Sequence, residues 1–246
     1  MSIKSLIGAS VPYQIKARIF TVKSAFAFLR SGGAIAPREC NCCGYKGPFY
    51  AVGLHLRRDA ACPRCHSLER HRLLKLYFDA NRSNFDGKSI LHFAPEQSVA
   101  RFVRPVARKY LSADLVNPSA DIKINIEKFT LPDKFDTIIA SHILEHVDDR
   151  KALASIRQAL NCGGTLLALV PIAEGMGTYE DPAIVHPKDR ELFFGQYDHV
   201  RYYGSDFADR ISNAGFAVER FTPAEPLISR YGLLRGETVF ACRAGR

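Results

Sequence analysis

Residues 135–171 read FDTIIASHILEHVDDRKALASIRQALNCGGTLLALVP, and this stretch decides the fold. Its first apolar run, Thr137 to Ala140, is short and rich in β-branched residues, which is typical of a strand buried on both faces. Asp148 and Asp149 follow, and they supply an N-cap and negative charge where a helix dipole is positive. The apolar residues that come next have helical spacing: Leu153, Ile156 and Leu160.

The end of the stretch completes a strand–helix–strand unit. Gly163 and Gly164 are predicted to end the helix, as C-terminal glycines do. Thr165 to Val170 is a second apolar run, and Pro171 closes it. The stretch therefore predicts one right-handed βαβ unit of a parallel sheet.

The pattern FDxIxxxHxLEHxxD, followed by a helix, a Gly-Gly turn and a strand, resembles the fourth and fifth strands of class I S-adenosylmethionine-dependent methyltransferases of type 11. The resemblance covers residues 86–246 and implies an α/β fold, namely a Rossmann-like seven-stranded sheet whose last strand is antiparallel. CPRCHSLERHRLL and HFAPE are similar to segments of a bacterial subgroup with an N-terminal four-cysteine zinc ribbon. The implied methyl donor is S-adenosylmethionine.

Length and composition are those of a globular protein. The 246 residues, 47% of them apolar, allow one sizeable α/β domain and a small addition. The sequence contains no run of about 18 uncharged apolar residues, so no membrane-spanning helix is expected. Residues 1–20 lack the uninterrupted apolar core of a signal peptide, which predicts a cytoplasmic protein.

The net charge of +9 is concentrated in the first third of the chain. Residues 1–85 hold 14 Lys and Arg against 4 Asp and Glu, whereas residues 86–246 hold 20 against 21. Such a basic region faces nucleic acid, an anionic membrane or a phosphorylated substrate, or it is only a solvated surface.

Residues 1–35 are predicted to contain a basic amphipathic helix. This helix is expected to pack on the catalytic domain or on a partner subunit, and the alternative is peripheral contact with the inner face of a membrane. Its apolar stripe consists of Ile15, Ile19, Val22, Phe26 and Leu29.

Two Cys-x-x-Cys pairs, Cys40/Cys43 and Cys62/Cys65, are separated by 18 residues. Four thiolates at this spacing fit a structural Zn²⁺ site, and the alternatives are a disulfide pair or a redox-active Cys-x-x-Cys. Cys42 is a spare thiol, while Cys162 and Cys242 are expected to be buried and inert. Residues 36–85 are therefore predicted to form a zinc ribbon and a linking helix, Ser67 to Asn81.

Three strands are predicted at the start of the domain 86–246: KSILHF (88–93), YLSAD (110–114) and DIKINI (121–126). HFAPE stands where the family has an acidic residue and a glycine-rich turn, which is a departure from its pattern. Glu96 is assigned to the cofactor's ammonium group, with a plain surface acid as the alternative, and Asp114 to the ribose hydroxyls. The full set implied to bind the cofactor is His92, Phe93, Ala94, Glu96, Asp114, Leu115, Asn125, Ile126, Ser141 and His142.

A polar, aromatic-rich insertion, residues 178–206, follows the fifth strand, where the resemblance implies that loops cover the acceptor. Asp198 and His199 are predicted to form an oriented base, in which the carboxylate raises the basicity of the imidazole; His142 is the other candidate base. Alternatively, polar residues of this loop only tie it to the domain. The residues expected at the acceptor are Tyr179, Arg190, Gln196, Arg201 and Tyr203.

The predicted reaction is in-line methyl transfer, in which the protein mainly aligns the reactants. The expected acceptor is a hydroxyl of a sugar, a glycan or a related small molecule, and such a hydroxyl needs a base. The alternatives are an RNA methyltransferase that docks RNA on the basic zinc-ribbon region, and a non-catalytic binding protein with a degenerate cofactor site. The oligomeric state is not predicted.

Overall fold

The computed structural model describes residues 38–52 and 57–245. The amphipathic helix predicted in residues 1–35 lies outside the described residues. Among the residues described, no helix combines the length and the apolar character needed to cross a membrane.

The described part of the chain begins with four short strands, and longer strands and helices follow them in alternation. The strands are β1 (Arg38–Glu39), β2 (Lys46–Gly47), β3 (Tyr50–Val52), β4 (Arg57–Ala61), β5 (Ser89–Phe93), β6 (Lys109–Asp114), β7 (Ile122–Lys123), β8 (Phe135–Ser141), β9 (Leu160–Leu169), β10 (Ile172–Ala173), β11 (Tyr203–Gly204), β12 (Phe216–Phe221) and β13 (Val239–Ala244). The helices are α1 (Glu69–Ala80), α2 (Gln97–Val103), α3 (Asp149–Ala159), α4 (Pro187–Phe194), α5 (Phe207–Asn213) and α6 (Leu227–Tyr231).

Seven of these strands form one sheet in the order β12-β13-β9-β8-β5-β6-β7. β13 is antiparallel to both of its neighbours, whereas the other pairs are parallel. The predicted seven-stranded sheet with an antiparallel last strand is confirmed. The order reverses between β5 and β8, and ligands of open α/β sheets bind at the carboxyl ends of strands at such a reversal.

The central strands are buried because their sequences are almost continuously apolar. All of β5 is buried, and in β8 only Asp136 is partly exposed. Helix α3 begins as predicted, since the Asp148 carboxylate accepts a hydrogen bond of 3.2 Å from the amide of Lys151. Leu153 and Ile156 then face the core.

The predicted end of that helix is wrong. Helix α3 ends at Ala159, and β9 begins at Leu160, so both glycines lie inside the strand. Gly163 has a φ of +71°, and a Cβ on Gly164 would lie 2.9 Å from the carbonyl oxygen of Asn161. The pairing of β8 with β9 also shifts in register at this end. The glycines therefore allow an irregularity in the strand.

The described residues divide into two compact units, and the boundary between the units falls within helix α1. One contains the residues up to Arg72 together with Ala224–Arg235, and the other contains Leu73–Pro223 and the residues from Gly236 onward. In the first unit, β1 pairs with β2 and β3 with β4, both antiparallel. The buried Arg72 donates hydrogen bonds of 2.6–2.7 Å to three carbonyl oxygens, those of Ser67, Tyr231 and Gly232.

In the second unit, two features differ from the sequence prediction. The third strand of the cofactor half, β7, is only two residues long, because the chain after Lys123 leaves the sheet. The insertion contains a helix, α4, that was not predicted, and its β11 pairs in parallel with β10, which lies just before the insertion. The α4 helix begins at Pro187 and ends at Phe194, and Gly195, which has a φ of +84°, caps its end.

Candidate functional site

The four cysteines predicted to bind zinc come together in the first unit. Their sulfur atoms all lie within 4.8 Å of one another, and none of them forms a disulfide. The Cys40–Cys65 and Cys43–Cys62 sulfur distances are 3.5 and 3.6 Å. Tetrahedral Zn–S bonds of about 2.3 Å place sulfurs about 3.8 Å apart, so the four thiols fit zinc.

Local hydrogen bonds shape this cluster. The amides of Gly44 and His66 donate to the carbonyls of Cys40 and Cys62. The Ser67 hydroxyl lies 3.2 Å from the Cys40 sulfur and 3.3 Å from the Cys65 sulfur, the position of a group that orients metal ligands.

The remaining cysteines lie outside the cluster. The Cys42 thiol is directed to the carbonyl of His71, at 3.8 Å, which agrees with its role as a spare. Cys242 is buried as expected. Cys162 is exposed, and the prediction for it was wrong because it lies in the irregular start of β9.

In the second unit, Asp114 ends β6 at the carboxyl edge of the sheet. Its Oδ1 accepts hydrogen bonds of 2.8 Å from the amides of Val116 and Asn117. Within the described residues no hydrogen bond uses Oδ2, so this oxygen is available to a ribose hydroxyl. Leu115 beside it is 51% exposed, which gives the edge an apolar surface suited to an adenine ring.

The turn after β5 adopts the conformation that a glycine usually provides. Ala94 has a φ of +43°, and its amide donates to the carbonyl of Ala113 at 2.9 Å. Glu96 stands at the N-cap position of α2 without capping it through its side chain. The backbone turn and the Asp114 carboxylate therefore fit a nucleoside cofactor although the glycine motif is absent.

Several residues predicted to bind the cofactor are core residues instead. His92 and Phe93 are 0% and 2% exposed; His92 Nδ1 lies 2.8 Å from the Tyr110 hydroxyl, and Phe93 packs against Phe129. Ile126 is also buried, and Asn125 uses its Oδ1 to accept from the amide of Glu127. These residues were assigned to the cofactor because they stand near strand ends, a criterion that does not separate the buried His92, Phe93 and Ile126 from the exposed Asn125.

The carboxyl end of β8 carries Ser141, which is buried, and His142. His142 has a φ of +55° and donates its amide hydrogen to Leu169 at 2.8 Å. Its imidazole lies between two carboxylates, with Nδ1 3.4 Å from Glu145 and Nε2 4.0 Å from Glu237. The strained backbone is typical of functional positions, and the flanking acids orient the ring.

The predicted pairing of Asp198 with His199 is not the one in the structure. Oδ2 of Asp198 lies 3.3 Å from Nδ1 of His146, and its Oδ1 accepts from Gln196. His199 instead contacts the carbonyl of Phe194 through Nδ1, at 2.9 Å. Burial lowers the pKa of His199 below its ordinary value, and His146 lowers it further, against smaller opposing effects of Phe194, Glu145 and Asp198. The prediction that Asp198 raises the basicity of His199 is therefore wrong, because the net effect on the pKa of His199 is a decrease.

Arg201 and Tyr203 make several contacts within the domain, and Arg201 also lines a cleft. Arg201 donates to Glu180 and to the carbonyls of Leu144 and Val147. The Tyr203 hydroxyl donates to Asp149 at 2.8 Å, and burial raises its pKa above the ordinary range. These two residues tie the insertion to the segment that follows β8.

The other predicted acceptor residues are accessible. Tyr179 is 41% exposed, Gln196 is exposed, and Arg190 lines a cleft with a volume of about 570 Å³. Charged side chains of both signs line this cleft, including Glu180, Arg190 and Arg210, and His146 lines it as well. The cleft is thus suited to a polar ligand.

Glu145, Glu237 and the pairing of His146 were missed from the sequence. His142, Glu145 and His146 follow the H-x-x-E-H spacing, a signal from which only His142 was assigned a role. Nothing in the sequence indicated that Glu237, almost a hundred positions later, lies beside His142.

The family model described as "Methyltransferase domain" matches residues 89–168. No curated protein matches the chain. The glycopeptide N-methyltransferase MtfA complexed with sinefungin is 15% identical, with a TM-score of 0.51, and the match covers 81% of this chain and 100% of that one. The same enzyme complexed with S-adenosylmethionine is 16% identical, with a TM-score of 0.50 and coverage of 71% and 94%.

A methyltransferase from Mesorhizobium loti is 21% identical, with a TM-score of 0.47 and coverage of 68% and 96%. The family match covers the part of the seven-stranded sheet that runs from β5 into β9, and it indicates a methyltransferase domain there.

Proposed function

We propose that the protein is a class I S-adenosylmethionine-dependent methyltransferase that acts on a hydroxyl group of a sugar, a glycan or a related small molecule. The observation that carries the proposal is the position of His142, at the carboxyl end of β8 and between the carboxylates of Glu145 and Glu237. A hydroxyl must lose its proton to become a good nucleophile, and a histidine held in this way is suited to accept that proton.

The residues at the carboxyl edge of the sheet hold the methyl donor. Asp114 accepts the ribose hydroxyls through its free oxygen, and the turn at Ala94 lets the backbone approach the ligand. When bound, S-adenosylmethionine supplies a methyl group that its sulfonium charge already activates.

The work of the protein is to align the acceptor and to remove a proton. His142 accepts the hydroxyl proton at an imidazole nitrogen, and the flanking carboxylates then face the positive charge of the ring. His199 is less suited to this step, because it is buried and its Nδ1 is bound to Phe194. The mixed charges of the cleft beside His146 favour a polar acceptor over an apolar one.

Two measurements on the zinc-loaded chain test the proposal. Calorimetric titration with S-adenosylmethionine and S-adenosylhomocysteine is expected to give one site. Transfer of labelled methyl groups is then measured on nucleotide sugars, free glycans and total RNA at several salt concentrations. Salt-sensitive labelling of RNA alone would overturn the choice of acceptor, and the absence of cofactor binding by the folded protein would overturn the enzyme assignment in favour of a binding protein.

A further inference from the structure

Three side chains beside the end of β8 converge on one point in the second unit. Glu145, His146 and His199 each present one ligand atom, and these atoms lie within 4.8 Å of one another. Glu145 and His199 are buried, and the imidazole rings of His146 and His199 meet edge to face with centroids 4.6 Å apart. The chain joins the two segments directly, since the amide of Val200 donates to the carbonyl of Glu145 at 2.9 Å.

Both histidines are oriented in the manner of metal ligands. Nδ1 of His146 faces the carboxylate of Asp198 at 3.3 Å, and Nδ1 of His199 faces the carbonyl oxygen of Phe194 at 2.9 Å. An imidazole that binds a metal through one nitrogen almost always donates the hydrogen of the other to a carboxylate or a carbonyl. These contacts therefore leave Nε2 of each ring as the unprotonated nitrogen that can bind a cation.

Glu145 supplies an independent indication of a ligand. Its side chain is 2% exposed, and neither carboxylate oxygen accepts a hydrogen bond from the described residues. A buried carboxylate without hydrogen bonds is costly, and in proteins such charges are paired or coordinate metals. The contact with His142, at 3.4 Å, engages only Oε1.

We propose that Glu145, His146 and His199 bind a divalent transition-metal ion, at a site separate from the four cysteines of the first unit. Two imidazoles and one carboxylate suit Zn²⁺, Fe²⁺, Co²⁺ or Mn²⁺, and three protein ligands leave coordination positions open to another molecule. The four-cysteine site is closed, because its four thiolates complete a tetrahedron. The two sites therefore differ in donor atoms and in accessibility.

The difference in donor atoms allows each site to be measured in the same full-length chain. Metal-free protein is loaded with Co²⁺ and dialysed, and its metal content is determined by elemental analysis. Cobalt in the cysteine site gives an intense thiolate charge-transfer absorption, whereas cobalt in the second site does not. The wild type is expected to hold two equivalents, only one of which accounts for the thiolate band.

His199→Ala and Glu145→Gln are each expected to lose one equivalent of cobalt and to keep the full thiolate band. Asp198→Ala, which removes the carboxylate that orients His146 but none of the proposed ligands, is expected to weaken binding of the second equivalent about 10- to 100-fold. The matched control is His186→Ala, because His186 is exposed and lies outside the cluster; it is expected to hold two equivalents.

One equivalent in the folded wild type would overturn the proposal. Two equivalents in both His199→Ala and Glu145→Gln would also overturn it, because the second ion would then bind elsewhere. Circular dichroism of each variant separates loss of metal from loss of fold; if His199→Ala does not fold, the result of Glu145→Gln, which preserves the side-chain shape, decides.

Discussion

The Oε1 atom of Glu145 lies 3.4 Å from Nδ1 of His142, and the Glu145 side chain is only 2% exposed. The two residues are held by different features: His142 by a left-handed backbone conformation at the end of β8, and Glu145 by the short helical turn Leu144–His146 that follows. The Nδ1 edge of the His142 imidazole therefore faces a buried side chain. Glu237 near its Nε2 limits its rotation further.

His142→Asn is expected to lower kcat for methyl transfer to a hydroxyl acceptor by about 10²- to 10⁴-fold, the usual contribution of a general base. The affinity for S-adenosylmethionine should change little, because the proposed role of His142 is in proton transfer. The measurement is steady-state kinetics with calorimetry of the cofactor. His186→Asn serves as control, and equal activity of the two variants would exclude the base.

Asp114→Ala is expected to weaken binding of S-adenosylmethionine by at least about tenfold, because a hydrogen bond to a charged group contributes about 1.5–3 kcal/mol. Loss of the Oδ1 contacts with two amides also loosens the turn after β6. Calorimetric titration measures the effect. Asp133→Ala removes an exposed acid on the same unit and is expected to bind the cofactor normally; an Asp114→Ala protein that does so too would contradict the assignment.

Ala94→Gly is expected to raise the free energy of unfolding by about 0.5–1 kcal/mol, because glycine adopts a positive φ without steric cost. Ala94→Val is expected to destabilise the protein and to weaken cofactor binding, since a β-branched residue is strongly disfavoured at a φ of +43°. Denaturant unfolding of the three proteins checks the order. If Ala94→Val were as stable as the wild type, the prediction would be wrong, because the backbone of the turn would then have adjusted to the larger side chain.

Local patterns were sufficient to predict the sheet but not the ends of its elements or the partners of its polar residues. The apolar runs of β5, β8 and β9 predicted their strands, and Asp148 predicted the start of α3, because burial and capping depend on adjacent residues. The glycines after α3 were misassigned, since a left-handed residue ends a helix or kinks a strand equally well.

The sequence predicted the positions of Asp114 and His142, at the carboxyl ends of β6 and β8, because these depend on the strands alone. The partners of polar side chains were not predictable where long-range packing decides them. Asp198 is adjacent to His199 in sequence but contacts His146. Arg201, which was expected at the acceptor, donates to carbonyls of the Leu144–Val147 segment. A charged side chain in an insertion has many available partners, and sequence alone does not rank them.

Cys62→Ser is expected to lose the zinc of the first unit and to destabilise that unit, because metal binding by thiolates contributes directly to folding. Cys42→Ser is the matched control, since the Cys42 thiol is not one of the four sulfurs that lie within 4.8 Å of one another, and it should retain the metal. Zinc content and thermal unfolding are measured on both. Loss of zinc from Cys42→Ser but not from Cys62→Ser would reassign the ligands.

Arg72→Lys is expected to lower the free energy of unfolding of the first unit by about 3 kcal/mol. The guanidinium bonds the carbonyls of Ser67, Tyr231 and Gly232 and lies 4.5 Å from the centre of the Phe49 ring. A lysine has no planar fork, so it leaves buried carbonyl oxygens without donors, each at a cost of about 1–3 kcal/mol. Arg58→Lys, at an exposed position, is the control.

Because the Tyr231 and Gly232 contacts join the segment Ala224–Arg235 to the cysteine-bearing residues, Arg72→Lys should also speed zinc release to a chelator. Unchanged release would mean that the cysteine cluster is held without this segment.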